Sequence, residues 1–194
     1  TRNLTNYAVT FSQLLLLGLN STLVVYIHKY IQDKNKSRLL ITLSLVIPAL
    51  LGVLFTVFCF LLKPSIVKHF QPEDIPFMDR YFAWLPLFTV LFIYLIILEQ
   101  YLGSQLKVAV SAFMREVVLR VANIIVILLY GFSYISFDIL VAGTVLIYIL
   151  PVLIFLLLAF KQEGFGFSLS FDHFSRDEYT EMGHFAWYHF LLSI

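Results

Sequence analysis

Five stretches of this chain run for a bilayer's thickness, or close to it, without one charged residue, and nearly all its ionisable groups lie between them. A hydrocarbon core of about 30 Å takes roughly 20 apolar helical residues at about 1.5 Å rise each. Residues 3–27, 39–62 and 139–160 meet that length; residues 81–98 are marginal, and 121–137 reach it if Arg120 sits at an interface. Soluble helices interrupt long apolar runs with charge every turn or two, because one face meets water. Here whole segments are apolar on every side. Composition agrees, with 60% hydrophobic and 13% charged residues, where soluble domains carry about 45–50% and about 25%. The pattern predicts an all-α fold, a polytopic transmembrane helical bundle.

The expected spans, A to E, cover about 7–27, 39–62, 81–98, 117–137 and 139–160. Residue 1 is Thr, and the apolar segment from His184 stops short, so the chain reads as a fragment: 1–182 from one lobe, 183–194 the start of a truncated next helix. No signal peptide stands out at the start. Nine Lys and Arg fall in the A to B, C to D and post-E connections, against four (Arg2, Lys63, Lys68, Arg80) on the opposite side. By the positive-inside rule the first set is cytoplasmic. A net charge of +1 argues against a nucleic-acid partner, which needs a basic patch. The single cysteine, Cys59, can form no internal disulfide.

Helices in lipid associate through small residues and a few polar contacts. Ser44, Pro48, Gly52 and Thr56 recur every fourth residue in span B and make a packing seam; Gly18, Ser21 and Thr22 read the same way in span A. Prolines at 48, 86 and 151 each remove a backbone hydrogen bond and favour kinks. Asn6, Thr10, Gln13 and Asn20 share one helical face, where amides either bond to neighbouring helices or line a wet cavity.

The C to D connection is the most distinctive part. Gln100, Ser104, Lys107, Ser111 and Arg115 mark one side of a helical register, with Leu102, Leu106, Ala109, Val110 and Phe113 on the other, an amphipathic pattern suited to an interface. Glu116 precedes Arg120 by one turn, the favourable orientation for an ion pair. An arginine within a span is costly enough to make Arg115 and Arg120 candidates for cavity residues. His28, His184 and His189 lack partners at metal spacing, so no metal or other cofactor is expected. Glu163, Asp172, Asp177, Glu178 and Glu181 read as a solvated acidic loop, and Gly164-Phe-Gly166 is too short for a phosphate loop. No nucleophile stands beside a base, so no enzymatic activity is expected.

The run Gly18-Leu-Asn-Ser-Thr-Leu-Val-Val-Tyr-Ile-His-Lys-Tyr30, the stretch from Glu99 through Arg115-Glu-Val-Val-Leu-Arg120, the turn Tyr134-Ile-Ser-Phe-Asp138 and the approach to Leu150-Pro151 together resemble a known family. It is the bacterial polysaccharide-biosynthesis membrane proteins, the O-antigen and lipid-linked-oligosaccharide flippases of the multidrug/oligosaccharidyl-lipid/polysaccharide exporter superfamily. The resemblance covers essentially the whole chain and rests on loose apolar patterns. It implies two six-helix lobes, with spans A to E as helices two to six, in the bacterial cytoplasmic membrane. It also implies alternating access, in which a cationic cavity passes a polyprenyl-diphosphate oligosaccharide outward for cell-surface polysaccharides such as lipopolysaccharide O-antigen. Arg115 and Arg120 are then the diphosphate contacts, because a planar guanidinium holds phosphate oxygens while staying charged. Gln13 and Asn20 become sugar contacts, and the expected partners are the lipid-linked oligosaccharide, membrane lipids and a coupling ion. Lipid II flippases carry arginine shortly before the glycine of their second helix, where this chain has Ser12 and Gln13, which points away from lipid II. The alternatives are a cation-coupled multidrug exporter of the same superfamily, which wants a carboxylate inside the lobe, and a non-transporting membrane scaffold subunit.

Overall fold

Long uncharged runs fold as helices because a helix satisfies its own backbone hydrogen bonds, leaving only its ends to be capped. The computed structural model describes residues 2–68, 75–105, 107–162 and 164–193, and no strand occurs among them. The first run forms α1 (Arg2–Leu16) and α2 (Leu19–Lys29), bent by 49° at the break between them. The second is α3 (Lys34–Val67), started by Asp33, whose carboxylate accepts from the Asn35 and Lys36 amides at 3.1 and 3.2 Å. After the short α4 (Ile75–Tyr81), the third run forms α5 (Trp84–Ser104). The next connection becomes α6 (Val108–Phe113), a π-helical turn over Met114–Val118, and α7 (Leu119–Gly131). Ser136 caps α8 (Phe137–Leu146), which continues into α9 (Ile149–Phe160), and α10 (Arg176–Ser193) follows.

Among the described residues, three helical stretches are long and apolar enough to cross a membrane: α3, α5 and the 24 residues of α8 and α9 together. The bent pair α1 and α2 makes a fourth when counted as one span. The stretch expected over 117–137 does not form a single helix of that length. Its helix α7 has 13 residues, roughly 20 Å at the α-helical rise, and the π-helical turn before it carries Arg115 and Glu116. Nor do the prolines act alike. Pro48 lies inside α3, as does Pro64, whereas Pro86 and Pro151 each stand in the first turn of a helix, where the missing N–H has no partner to lose. The segment expected to begin at 183 is the second half of α10.

The core is organised on α5, which packs against α1, α2, α3 and α9. Of its most apolar window 56% is buried, against 22% for α3 and 28% for α8 with α9, so α5 is the inner helix and the others surround it. One apolar cluster forms around its start, with Phe82, Leu85 and Phe88 against Leu4, Ala8 and Val141. A second forms around its end, with Ile93, Ile97 and Leu98 against Leu23, Leu39 and Phe155. The small stripe on α3 is the expected seam: Ser44, Pro48 and Gly52 are buried, and a Cβ at Gly52 would stand 3.1 Å from Val90. Leu54, Phe58 and Leu61 of the same helix face outward and give it an apolar outer face.

The break in the first run has a specific cause. Leu17 and Gly18 both take positive φ, 48° and 75°, a conformation that costs an ordinary L-residue about 1–2 kcal/mol. Gly18 must also be a glycine for space, since a Cβ there would come within 2.1 Å of the Ala186 carbonyl oxygen on α10. Left-handed strain and a blocked approach therefore add up at this position. Replacing Gly18 with Ala is expected to destabilise the protein by about 2 kcal/mol or more, read as a lowered thermal unfolding midpoint in detergent; an unchanged midpoint would contradict this account of the bend.

Candidate functional site

The bend builds a small polar crevice. Gln13 from α1 and Asn20 and Ser21 from α2 line it with Gly18, while His189 and Leu192 of α10 close the other side, around about 120 Å³. On one straight helix Asn6, Thr10, Gln13 and Asn20 would form a continuous stripe. The 49° bend interrupts that stripe, and Thr10 spends its hydroxyl on the Asn6 carbonyl at 3.0 Å. Gln13 and Asn20 still meet, because the bend folds both toward one space. Among the described residues, the side chains of Gln13, Asn20 and Ser21 have no hydrogen-bond partner. Such a crevice can accept a ligand that both donates and accepts hydrogen bonds.

The charged candidates lie elsewhere. The π-helical turn sets Arg115 toward α5, where its Nη1 meets Glu99 at 3.1 Å while its Nε meets Glu116 at 3.2 Å. Glu116 also holds Arg120 through the expected one-turn ion pair. Two arginines and two carboxylates thus balance, with Arg115 tied between two helices and Arg120 held by a single residue of its own helix. Arg120 is the freer cation, with 72% of its side chain exposed against 58% for Arg115. Neither arginine lines the crevice of Gln13 and Asn20, so the four candidate residues form two separate groups.

The connection leading to this turn differs from a continuous amphipathic helix. The α-helix stops at Ser104 and resumes at Val108, with Leu106 outside the described residues. After the break its apolar residues face out, Val108, Val110 and Phe113 being exposed, while Leu102 before the break is buried in the core; Ser104 and Ser111 are buried and donate to the Tyr101 and Val108 carbonyls of their own helices at 2.6 and 3.0 Å. That inverted pattern fits a segment whose outer face meets apolar surroundings.

The acidic residues before and within α10 are not simply a solvated loop; Glu163 lies outside the described residues. Glu178 takes Lys36 at 2.7 Å and the Tyr30 hydroxyl at 3.1 Å, and Glu181 takes Lys29 at 3.1 Å and the Tyr26 hydroxyl at 3.0 Å. The lysines also stack over Tyr26, Tyr30 and Phe174 at 5.1 to 5.8 Å. Ser175 and Glu178 form a reciprocal helix start, the Glu178 amide donating to Ser175 Oγ at 3.2 Å and the Ser175 amide to Glu178 Oε2 at 2.8 Å. The spacing Ser-x-x-Glu was a local signal for that start, but its lysine and tyrosine partners lie more than 140 residues away. At the other end of the bundle Lys63 meets Asp79 at 2.9 Å and Arg80 meets Asp138 at 2.7 Å. Ion pairs therefore gather the first and last connections at one end and the turn before α8 at the other.

Compared with family models, curated proteins and solved structures, the chain matches none.

Lys36, followed by the Ser175 amide, holds the Glu178 carboxyl down at about 2, against a smaller opposing effect of burial. A folded-state value below the ordinary 4.5 means that Glu178 contributes stability above the unfolded value and loses it as pH falls toward about 2. Tryptophan emission, with Trp187 on α10 as the reporter, is expected to shift between pH 4.5 and about 2 as α10 loosens. Glu178→Gln is expected to show the loosened spectrum already at neutral pH and to lose most of that dependence; an unchanged titration would remove Glu178 as the clamp.

Proposed function

We propose that this chain is part of a transporter, one lobe of a flippase that moves a polyprenyl-diphosphate-linked oligosaccharide across the bacterial cytoplasmic membrane for surface-polysaccharide synthesis. The observation that carries the reading is the crevice at the bend of α1 and α2. Amides without partners are expensive at membrane depth, and irregular backbone is tolerated there where it lines a cavity. Transporters use such discontinuous helices to hold polar cargo. Sugar hydroxyls both donate and accept, which matches Gln13, Asn20 and Ser21.

The charged group contributes unequally in this reading. Arg120 is the diphosphate contact, being exposed and held by one carboxylate; Arg115, bridged to Glu99 and Glu116, positions the turn that carries it. The end bearing Lys29, Lys36, Arg115 and Arg120 is cytoplasmic by the excess of cations. Alternating access moves the cargo with no covalent bond made or broken. A cation-coupled exporter is the second reading, favoured by Glu99, a carboxylate on the inner helix α5 with 20% of its side chain exposed.

In cells whose surface polysaccharide depends on the full-length protein, the double variant Gln13→Leu with Asn20→Leu is expected to lower surface polysaccharide about tenfold or more. Lipid-linked precursor accumulates at unchanged protein level, and Arg120→Ala acts in the same direction. Normal polysaccharide in both variants at normal expression removes the flippase reading. Wild-type behaviour in these variants combined with lost drug efflux in Glu99→Gln favours the exporter.

A further inference from the structure

An apolar groove of about 480 Å³ runs along the outside of the bundle between α3, α5 and α9, lined by Leu45, Ala49, Tyr94, Leu98, Leu156 and Phe167. Its size lies within the range of sites that bury a small ligand, about 300–1,000 Å³. Phe167 closes one end, and it belongs to the extended segment that follows α9. That segment is fastened along α3: the Ser168 amide donates to Thr42 Oγ1 at 2.9 Å, and Gly166 lies so close to Arg38 that a Cβ there would come within 2.9 Å of Nε. Arg38 precedes Leu45 by seven positions on α3, about two turns, so it stands at the end of the groove that Phe167 closes.

Arg38 is set apart from the other cations at this end of the bundle by its enclosure. Lys29, Lys36, Arg115 and Arg120 each hold a carboxylate. Arg38 forms no ion pair with a described residue, and its Nε is buried without an acceptor. Lys161, directly after the Phe160 that packs against Phe165 and Phe167, also has no ion pair among the described residues. The Arg38 Nε is shut away against Gly166 without an acceptor, which is costly, but Arg38 as a whole is only half-buried, and a phosphate matches the planar fork of a guanidinium. The apolar groove beside it matches a hydrocarbon tail.

We infer that the groove and Arg38 together form a binding site for an anionic glycerophospholipid, with an acyl chain along α3, α5 and α9, the phosphate on the Arg38 guanidinium and Lys161 at the headgroup's edge. A lipid is the fitting occupant because it supplies both halves at once, an anion at the headgroup level and a chain running toward the bilayer centre. The inference requires the chain to sit in a bilayer and is independent of what it transports.

Native mass spectrometry of the delipidated full chain in detergent tests it, with phosphatidylglycerol and phosphatidylcholine of identical acyl chains as probes. Phosphatidylglycerol is expected to bind about fivefold more tightly, the factor that one surface cation contributes. Arg38→Gln removes that preference, Arg38→Lys retains most of it, and Ala49→Trp fills the groove and weakens both lipids. Glycerol 3-phosphate, which carries the phosphate without chains, does not compete at equal concentration. An unchanged preference in Arg38→Gln overturns the site, and so does full competition by glycerol 3-phosphate, which assigns a soluble anion instead. A wild-type dimer that Ala49→Trp converts to monomer with lipid binding intact also overturns it, giving the groove to a second copy of the chain.

Discussion

Hydrocarbon offers a backbone no hydrogen bonds, so a helix surrounded by it has to close its own ladder wherever it bends or stops. The interruptions of this bundle obey that constraint. At the first, the Thr22 amide and hydroxyl both donate to the Gly18 carbonyl at 3.1 Å. After α5, the Gln105 amide is shared between the Tyr101 and Leu102 carbonyls, and the Lys107 amide donates to Leu102. Between α8 and α9 the Tyr148 amide reaches Val145 and the Leu150 amide reaches Ile147. The turn between α8 and α9 is tightened and the one after α5 is widened at Lys107, and the unbroken α5 supplies the surface on which the broken helices rest.

Charge does a different job from packing. The ion pairs sit at the two ends of the bundle, where the Lys29 side chain is close to half exposed and that of Arg80 more than half, and exposed pairs of this kind contribute about 0–1 kcal/mol each. Their value lies in choosing neighbours. Arg80 and the Tyr81 hydroxyl both address Asp138 and so fix which end receives the turn before α8. Lys36 and Tyr30 address Glu178 and so fix where α10 docks. Apolar contact along α5 could tolerate several arrangements of similar burial, whereas these pairs are specific to one.

Much of this was legible in the residues because it depends on runs and periods. The apolar stretches at 39–62 and 139–160 reappear inside α3 and the pair α8 and α9, that at 81–98 falls in α5 from Trp84 onward, and the four-residue recurrence of Ser44, Pro48, Gly52 and Thr56 is the seam that Val90 approaches at Gly52. The rest depends on partners distant in sequence. Gly18 read as one small residue among several; the Ala186 carbonyl that forbids a side chain there is visible only once α10 is in place. Glu178 and Glu181 read as solvated because Arg176, the arginine beside them in the chain, is at neither the three- nor the four-residue spacing of a helical pair, and their lysines belong to the first connection. Gln13 and Asn20 were grouped by a helical face, and they do share a crevice, but a bend joins them where a straight helix was expected. The link from Arg115 to Glu99 crosses a helix break and had no local signature.

The π-helical turn at Met114–Val118 stores one residue more per turn than the α-helices on either side of it. An α-helix advances about 100° around its axis per residue. Were this turn to settle into α-helical spacing, everything after it would rotate by about that angle relative to everything before it. Arg115 lies within the turn and grips α5, while Arg120 follows it and grips Glu116 of the turn. The one extra residue thus sets on which side of α7 Arg120 stands relative to the helix before the turn, where Arg115 holds the inner helix.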